Sequence, residues 1–309
     1  MRARAMNRRA LRGRDIKADV ALRRKYAEKL VALVTEMHRS TVYWLMAEYK
    51  RQLPRVEKLM ATDGALAPDS LADDASPARD MLARLREQMR RHRAIIDEKA
   101  QGYAEWFAAR ANSGATARTK SSLSEMFGFT VGMKGMTRNV NNVLQSVIGE
   151  NVALIKSIPE KYFTELEGLV MRSVRTGRDI ATLTDELEKL YLKDLRDRAL
   201  LIARDQNNKA SAAISRARMQ DAGVEMVIWR HSSRAKHPRP SHLEADGKIF
   251  PLSEGLLIDG DYIFPGEEIN CGCTAAPYVE RMTARSAEAM NAAKQAPDSP
   301  LRRAGRGGE

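Results

Sequence analysis

Aromatic side chains are scarce in this chain, at 6% of its 309 residues. Ala, Arg, Leu and Met dominate instead, and this mixture favours long helices over a β-sandwich. No apolar run is long enough to span a bilayer, and residues 1–14 lack the apolar core of a secretory signal. We therefore expect a soluble, mainly helical protein with room for two domains.

Cysteine is rarer still, since Cys271 and Cys273 are the only two in the chain. Cysteines separated by a single residue cannot form an ordinary disulfide without severe backbone strain, and the missing signal favours synthesis in a reducing cytoplasm. The sequence also has no phosphate-binding Gly-rich loop with its Lys and no Ser nucleophile elbow. Two common kinds of catalytic site are thereby excluded.

Acidic residues are too few to balance the basic ones, so the net charge is +12. Residues 1–30 hold eleven Lys and Arg against three acidic residues and supply eight of these charges. This pattern predicts a basic N-terminal arm, residues 1–20, with nucleic acid as the first candidate partner and an anionic protein surface as the second. The arginines predicted to bind are Arg2, Arg4, Arg8, Arg9, Arg12 and Arg14.

Apolar residues at steps of three and four predict a helical hairpin over residues 21–111. Its first helix is predicted to end near Pro54, and its second to run from about Ala78 to Arg110. Residues 112–139 then break the periodicity with Gly, Ser and apolar side chains. We interpret this stretch as a buried connector, with insertion into a neighbouring subunit or contact with a membrane as the alternative.

Helical periodicity resumes over residues 140–223, with a break expected at Pro159, caps at Gly177 and Asp179, and a stop at Gly223.

Residues 224–280 differ in kind, because short apolar segments there alternate with Gly and Pro turns. They predict a small strand- and turn-rich C-terminal module, and residues 281–309 predict a flexible tail. The predicted strands are Val224–Trp229, Ile249–Phe250, Tyr262–Phe264 and Thr274–Val279. The expected fold class is therefore mainly α (α+β), with a long N-terminal helical hairpin and a helical middle region before this module.

Ligand-type side chains concentrate between Trp229 and Cys273, where three of the five histidines and both cysteines lie. The segment contains Arg-Pro-Ser-His at 239–242, Pro-Gly at 265–266 and Asn-Cys-Gly-Cys at 270–273. A predicted helix with Ala-Arg-Asp-Gln at 203–206 precedes it.

In this order, the pieces make the last third of the chain resemble the phage Mu F-like minor head proteins. The chain departs from the family pattern in Gly272, where a basic residue is common, and in adding His237. The resemblance implies a virion protein, made in the host cytoplasm and present in few copies near the portal. Its implied role is head morphogenesis, with DNA packaging or ejection as further roles, and its implied partners are the portal protein, other capsid components and packaged DNA.

A metal is one explanation for the cysteines and histidines of the module. Zinc prefers thiolate and imidazole in a tetrahedral shell, which His237, His242, Cys271 and Cys273 would supply. Such an ion would stabilise a small module that has little core. The alternative is that the cysteines are core residues on one face of a strand and that His242 caps a turn. The sequence leaves both open.

Catalysis is the other alternative. A metal-dependent nuclease would use Glu244 or Asp246 beside the histidines, and a DNA-binding accessory protein would use the basic arm alone. Four protein ligands would close the metal shell, so we expect no enzymatic activity. Arg204 and Arg239 are predicted to brace the module through carboxylate or carbonyl contacts, beside Trp229.

Overall fold

A computed structural model describes residues 10–61, 77–176, 180–232 and 238–280. The fold is mainly helical with small antiparallel sheets near the C-terminal end, so the predicted fold class is confirmed. The helices are α1 (Val20–Ala61), α2 (Pro77–Phe127), α3 (Arg138–Thr176), α4 (Ile180–Leu190), a π-helical turn (Tyr191–Arg196), α5 (Asp197–Asp221) and α6 (Pro240–Glu244). The strands are β1 (Leu11–Arg12), β2 (Met226–Arg230), β3 (Ile249–Pro251), β4 (Leu256–Ile258), β5 (Asp261–Ile263) and β6 (Thr274–Val279). None of the helices in the described ranges has both the length and the apolar character needed to cross a bilayer.

The chain forms two compact units that are not contiguous in sequence. The module unit contains the described residues of Met1–Arg23, Glu105–Gly149 and Arg204–Glu309, and the helical unit contains those of Arg24–Ala104 and Glu150–Ala203. The predicted segments 21–111 and 140–223 therefore each contribute to both units. Sequence periodicity marks where helices lie along the chain, but it does not record which part of a helix packs with which neighbour.

In the helical unit, α1 and α2 run antiparallel. Glu36 pairs with Lys99 at 3.7 Å, whereas Arg55, further along α1, pairs with Asp80 near the start of α2 at 2.9 Å. Residue numbers of the paired side chains rise along α1 while they fall along α2. The two helices therefore run in opposite directions. The turn predicted between the two helices lies outside the described residues.

Neither Pro54 nor Pro159 ends its helix, so both predicted breaks are wrong. A proline inside a helix removes one backbone hydrogen bond and costs about 3 kcal/mol. Around Pro159 this cost is offset by packing, because Ile155, Ile158 and Tyr162 are buried on both sides of it. The predicted caps at Gly177 and Asp179 lie outside the described residues.

The connector predicted to begin at residue 112 is also wrong in its first half, because α2 continues to Phe127. Small buried side chains, including Ala111 and Ala115, let a neighbouring helix approach this part of α2. Arg218 of α5 donates a hydrogen bond to Asn112 there at 3.2 Å. A close helix contact thus outweighs the low helical propensity of Gly and Ser. Residues 128–137 do form a loop, and its Val131 is buried in the core of the module unit.

The main sheet of the module unit has the strand order β1-β6-β2-β3, and β4 pairs with β5 in a separate two-stranded sheet. All pairs are antiparallel, and β2 meets β6 with Trp229 opposite Ala275. The buried core joins this sheet to helix and loop residues: Ile16, Leu123, Met126, Val131, Met219, Val224, Val227, Trp229, Ala245, Phe250, Leu252, Ile258, Cys271 and Cys273. Both cysteines are therefore part of a packed core.

Part of the predicted basic arm, residues 1–20, belongs to the fold, and residues 1–9 lie outside the described residues. Leu11 and Arg12 form the edge strand β1, and the Gly13 amide donates to the Pro277 carbonyl at 2.8 Å. Ile16 is buried in the module core, and Asp19 precedes α1. Backbone pairing with β6 holds this segment in the fold, a contact that a count of charges could not reveal.

Candidate metal centre

His242, Cys271 and Cys273 converge in the module unit. All three are buried, and their nitrogen and sulfur atoms lie within 4.8 Å of one another. His242 Nδ1 is 3.5 Å from the sulfur of Cys271 and 3.7 Å from that of Cys273. On the far side of Cys273, the Nδ1 atom of His231 lies 3.7 Å from the same sulfur. The other predicted ligand, His237, lies outside the described residues.

The end of β2, helix α6 and the loop before β6 bring the four side chains together. His231 directly follows β2, and its amide donates to Asp246 at 2.8 Å. His242 lies on α6, where Pro240 occupies the first helical position, which its fixed φ favours. The ring of Trp229 on β2 meets the His242 ring edge-on at 5.2 Å and helps to fix its orientation.

The cysteine-bearing loop, residues 264–273, connects β5 to β6. Two of its glycines allow its tight backbone path. Gly266 has φ +84°, and a Cβ there would lie 2.9 Å from the Ala212 side chain and 3.3 Å from the Cys273 carbonyl oxygen. Any side chain at this position would be both strained and obstructed. At Gly272 a Cβ would lie 3.0 Å from the Ser232 hydroxyl, so the backbone between the cysteines passes close to the residue after His231.

Helix α5 holds the same loop through polar side chains. Arg204 donates to the Asn270 side chain at 2.7 Å, and Asp205 accepts the Asn270 amide at 2.7 Å. Asn208 donates to the Cys271 carbonyl at 3.1 Å. These bonds fix the backbone on both sides of the first cysteine.

Two charged side chains, Arg239 and Glu268, connect the surface to His242. Arg239 donates to the Ile269 carbonyl at 3.1 Å and lies 3.4 Å from the Glu268 carboxylate. That carboxylate lies 2.9 Å from Nε2 of His242, the ring nitrogen that faces away from the sulfurs. Arg204 and Arg239 thus contact the loop by the types of bond predicted for bracing, and Trp229 is fully buried beside it.

The two cysteine side chains shift each other's pKa in opposite directions. A hydrogen bond from the Cys273 thiol lowers the pKa of Cys271 and raises that of Cys273. Backbone amides of Cys273 and Gly266 also lower the pKa of Cys271. The arrangement therefore stabilises negative charge on sulfur next to an imidazole, which is the donor chemistry that favours zinc and other thiophilic metals.

The arginines predicted to bind DNA or a portal surface divide into two groups. Arg2, Arg4, Arg8 and Arg9 lie outside the described residues. The guanidinium of Arg12 lies 5.9 Å above the Tyr278 ring, and Arg14 pairs with Glu125. Both described arginines already contact groups of the module unit.

The region that carries this site has known relatives. Residues 164–276 match the family described as Phage Mu protein F like protein. This part of the chain is similar to the Mu F-like family. The Mu F-like region runs from within α3 into β6, and it includes His231, His242, Cys271 and Cys273. The family resemblance found in the sequence is therefore confirmed.

A longer similarity extends beyond the Mu F-like region. An uncharacterized protein of Haemophilus influenzae (strain ATCC 51907 / DSM 11121 / KW20 / Rd) is 28% identical over 258 residues, which is 79% of this chain and 55% of that protein. The chain thus spans about half the length of this curated relative. No solved structure matches the chain.

Two residues of the site were not assigned from the sequence. The sequence prediction names His237 and not His231, although the position of His231 directly after a Trp-bearing strand is a usable signal. Glu268 lies three residues before Cys271, and no pattern in the chain distinguishes it from Glu267. Only the folded loop shows which of the two carboxylates faces His242.

Proposed function

We propose that the chain is a phage head morphogenesis protein, a minor structural component of the virion located near the portal. The observation that supports this role is the family match over residues 164–276, which covers the whole candidate site and most of the strand-rich module. The chain acts as a structural element in this proposal and carries no catalytic activity.

An exposed apolar face of the module supplies a surface for assembly. Leu257 and Tyr262 lie directly opposite each other across β4 and β5, with 55% and 63% of their surface exposed. Large apolar side chains left in solvent mark interaction sites on many proteins. We assign this face to contact with another capsid component.

The test is to purify particles from cells that produce the phage encoding this chain. We expect the protein in heads at low copy, and we expect the Leu257→Ser/Tyr262→Ser variant to be folded yet depleted from particles. The matched control is Leu200→Ser/Leu201→Ser. These two exposed apolar residues lie on α5, away from β4 and β5 in the sequence. Absence of the wild-type protein from particles, or divalent-ion-dependent cutting of plasmid DNA by the purified chain, would overturn the proposal.

Packaged DNA is the second partner we propose, through the arginines at residues 2, 4, 8 and 9. Deleting residues 2–9 keeps β1 and the module core intact, so it removes positive charge without removing a strand. If all four contact phosphates, the slope of log binding constant against log salt concentration should become shallower by up to about 3.6. Fluorescence anisotropy with a duplex at several salt concentrations measures the slope, and an unchanged slope would exclude the arm as the DNA contact.

A further inference from the structure

Three sulfur–nitrogen distances in this cluster match those of a tetrahedral zinc site. Zinc lies about 2.3 Å from sulfur and about 2.1 Å from nitrogen in such sites, so sulfur and nitrogen ligands stand about 3.6 Å apart. The three sulfur–nitrogen distances here are 3.5, 3.7 and 3.7 Å. Thiol-to-imidazole hydrogen bonds have the same length, so the groups around His242 decide between the two arrangements.

The groups around His242 match what surrounds a metal-bound histidine. Its Nδ1 faces both sulfurs and its Nε2 faces Glu268 at 2.9 Å. Histidine ligands usually direct the second ring nitrogen at a carboxylate, which fixes the tautomer and orients the ring. Here the Nε2 atom and the facing carboxylate oxygen are both shielded from solvent, and Arg239 lies 3.4 Å from that oxygen.

We propose that Cys271, Cys273, His242 and His231 bind one structural zinc ion, and that Glu268 positions His242. His242, Cys271 and Cys273 form the close group of donor atoms. His231, whose Nδ1 lies 3.7 Å from the Cys273 sulfur, is the fourth ligand and must move closer to the other two donors when the ion binds. The ion ties the end of β2, helix α6 and the loop before β6 to one point. The site is independent of the proposed role in head assembly.

The first experiment measures the metal content of the full-length protein after incubation with excess zinc and gel filtration. We expect one zinc per chain in the wild type and none in Cys271→Ser/Cys273→Ser. Cobalt(II) in place of zinc should give the intense visible bands of a four-coordinate ion and a near-ultraviolet sulfur-to-cobalt band. A folded wild-type protein that retains no more zinc than the serine variant would overturn the proposal, whatever the stability of the variants.

Further variants test the assignment of each residue by competition with a chelator. Glu268→Gln should weaken zinc binding by about 10- to 100-fold, whereas Glu254→Gln, at an exposed carboxylate of the same module, should leave it unchanged. His231→Ala should weaken binding and alter the cobalt spectrum, and His237→Ala should do neither. If His237→Ala alters the spectrum and His231→Ala does not, His231 is not the fourth ligand. If Glu268→Gln binds zinc as tightly as Glu254→Gln, Glu268 has no positioning role.

Discussion

At the scale of single residues, two buried histidines of the helical unit carry a pH-dependent part of its stability. His38 lies 2.9 Å from the Tyr162 hydroxyl and stacks on Tyr191 at 4.6 Å between ring centres. Burial lowers the pKa of His38, and the charge of Glu188 opposes this only in part. Burial likewise lowers the pKa of His92, against a smaller opposing effect of Glu36. Both imidazoles are therefore held neutral by the fold.

The sign of the pH dependence follows from these shifts. As pH falls below the ordinary histidine pKa of 6.5, the unfolded chain binds protons before the folded one does, so the free energy of unfolding decreases until the folded-state pKa is passed. The His38→Gln/His92→Gln variant should show a flatter dependence in this range. Urea unfolding at a series of pH values, followed by far-ultraviolet circular dichroism, measures it. Equal slopes for variant and wild type would mean that other groups cause the dependence.

The candidate site also shows which individual residues a sequence can identify. Cys271, Cys273 and His242 were predicted as a group because thiolate and imidazole are rare in this chain, and rarity along the sequence is visible without a fold. Glu268 is ordinary by that measure, and His231, although it is one of the five histidines, cannot be separated from His237 by rarity. Their roles depend on where β2 ends and how the loop after Gly266 turns, which are tertiary facts.

At the scale of elements, Asp19 is the residue that starts the first long helix. Its carboxylate accepts the amides of Ala21 and Leu22 at 2.8 and 3.1 Å. The Leu22 amide is the main cause of the lowered pKa of this carboxyl group, which also lies 3.4 Å from Arg118. The cap thus joins the N-terminal segment to α1.

Replacing Asp19 by Ala should lower the free energy of unfolding by about 1 kcal/mol, because two helix amides lose their acceptor. Asp19→Asn should retain most of this stability, since Asn caps helices about as well as Asp. Urea unfolding of both variants at neutral pH makes the comparison. If Asn proves as destabilising as Ala, the ion pair with Arg118 matters more than the cap.

Strand β6 was predicted with its observed bounds, whereas β1 was missed, and the reason is physical. Thr274–Val279 is an apolar run after a Cys-Gly-Cys turn, so its pattern is local. The two residues of β1 lie in a basic stretch and become a strand only because β6 offers an unpaired edge. Pro159 also shows that local sequence does not reveal tertiary packing. Helix propensity predicts the free-energy cost of this proline in α3, but not the buried contacts that offset the cost.

At the scale of the whole molecule, the N-terminal segment completes the C-terminal module. Removing residues 2–16 deletes β1 and the buried Ile16, which leaves the edge of β6 without its partner. We expect lower thermal stability and concentration-dependent association, because unpaired strand edges recruit other chains. Size-exclusion chromatography and thermal unfolding measure both. The deletion of residues 2–9 is the control, and identical behaviour of the two truncated proteins would show that β1 contributes nothing to the module.

The pairing of Leu11 with Val279 has a consequence for synthesis. The ribosome must translate both helical segments after β1 before β6 is made. Contacts between residues this far apart along a chain also form slowly. A chain that terminates before Cys271 lacks β6, one of the two central strands of the sheet, and both sulfurs. Only chains translated at least as far as β6 can therefore complete the module, so a head that requires the completed module would leave shorter fragments behind.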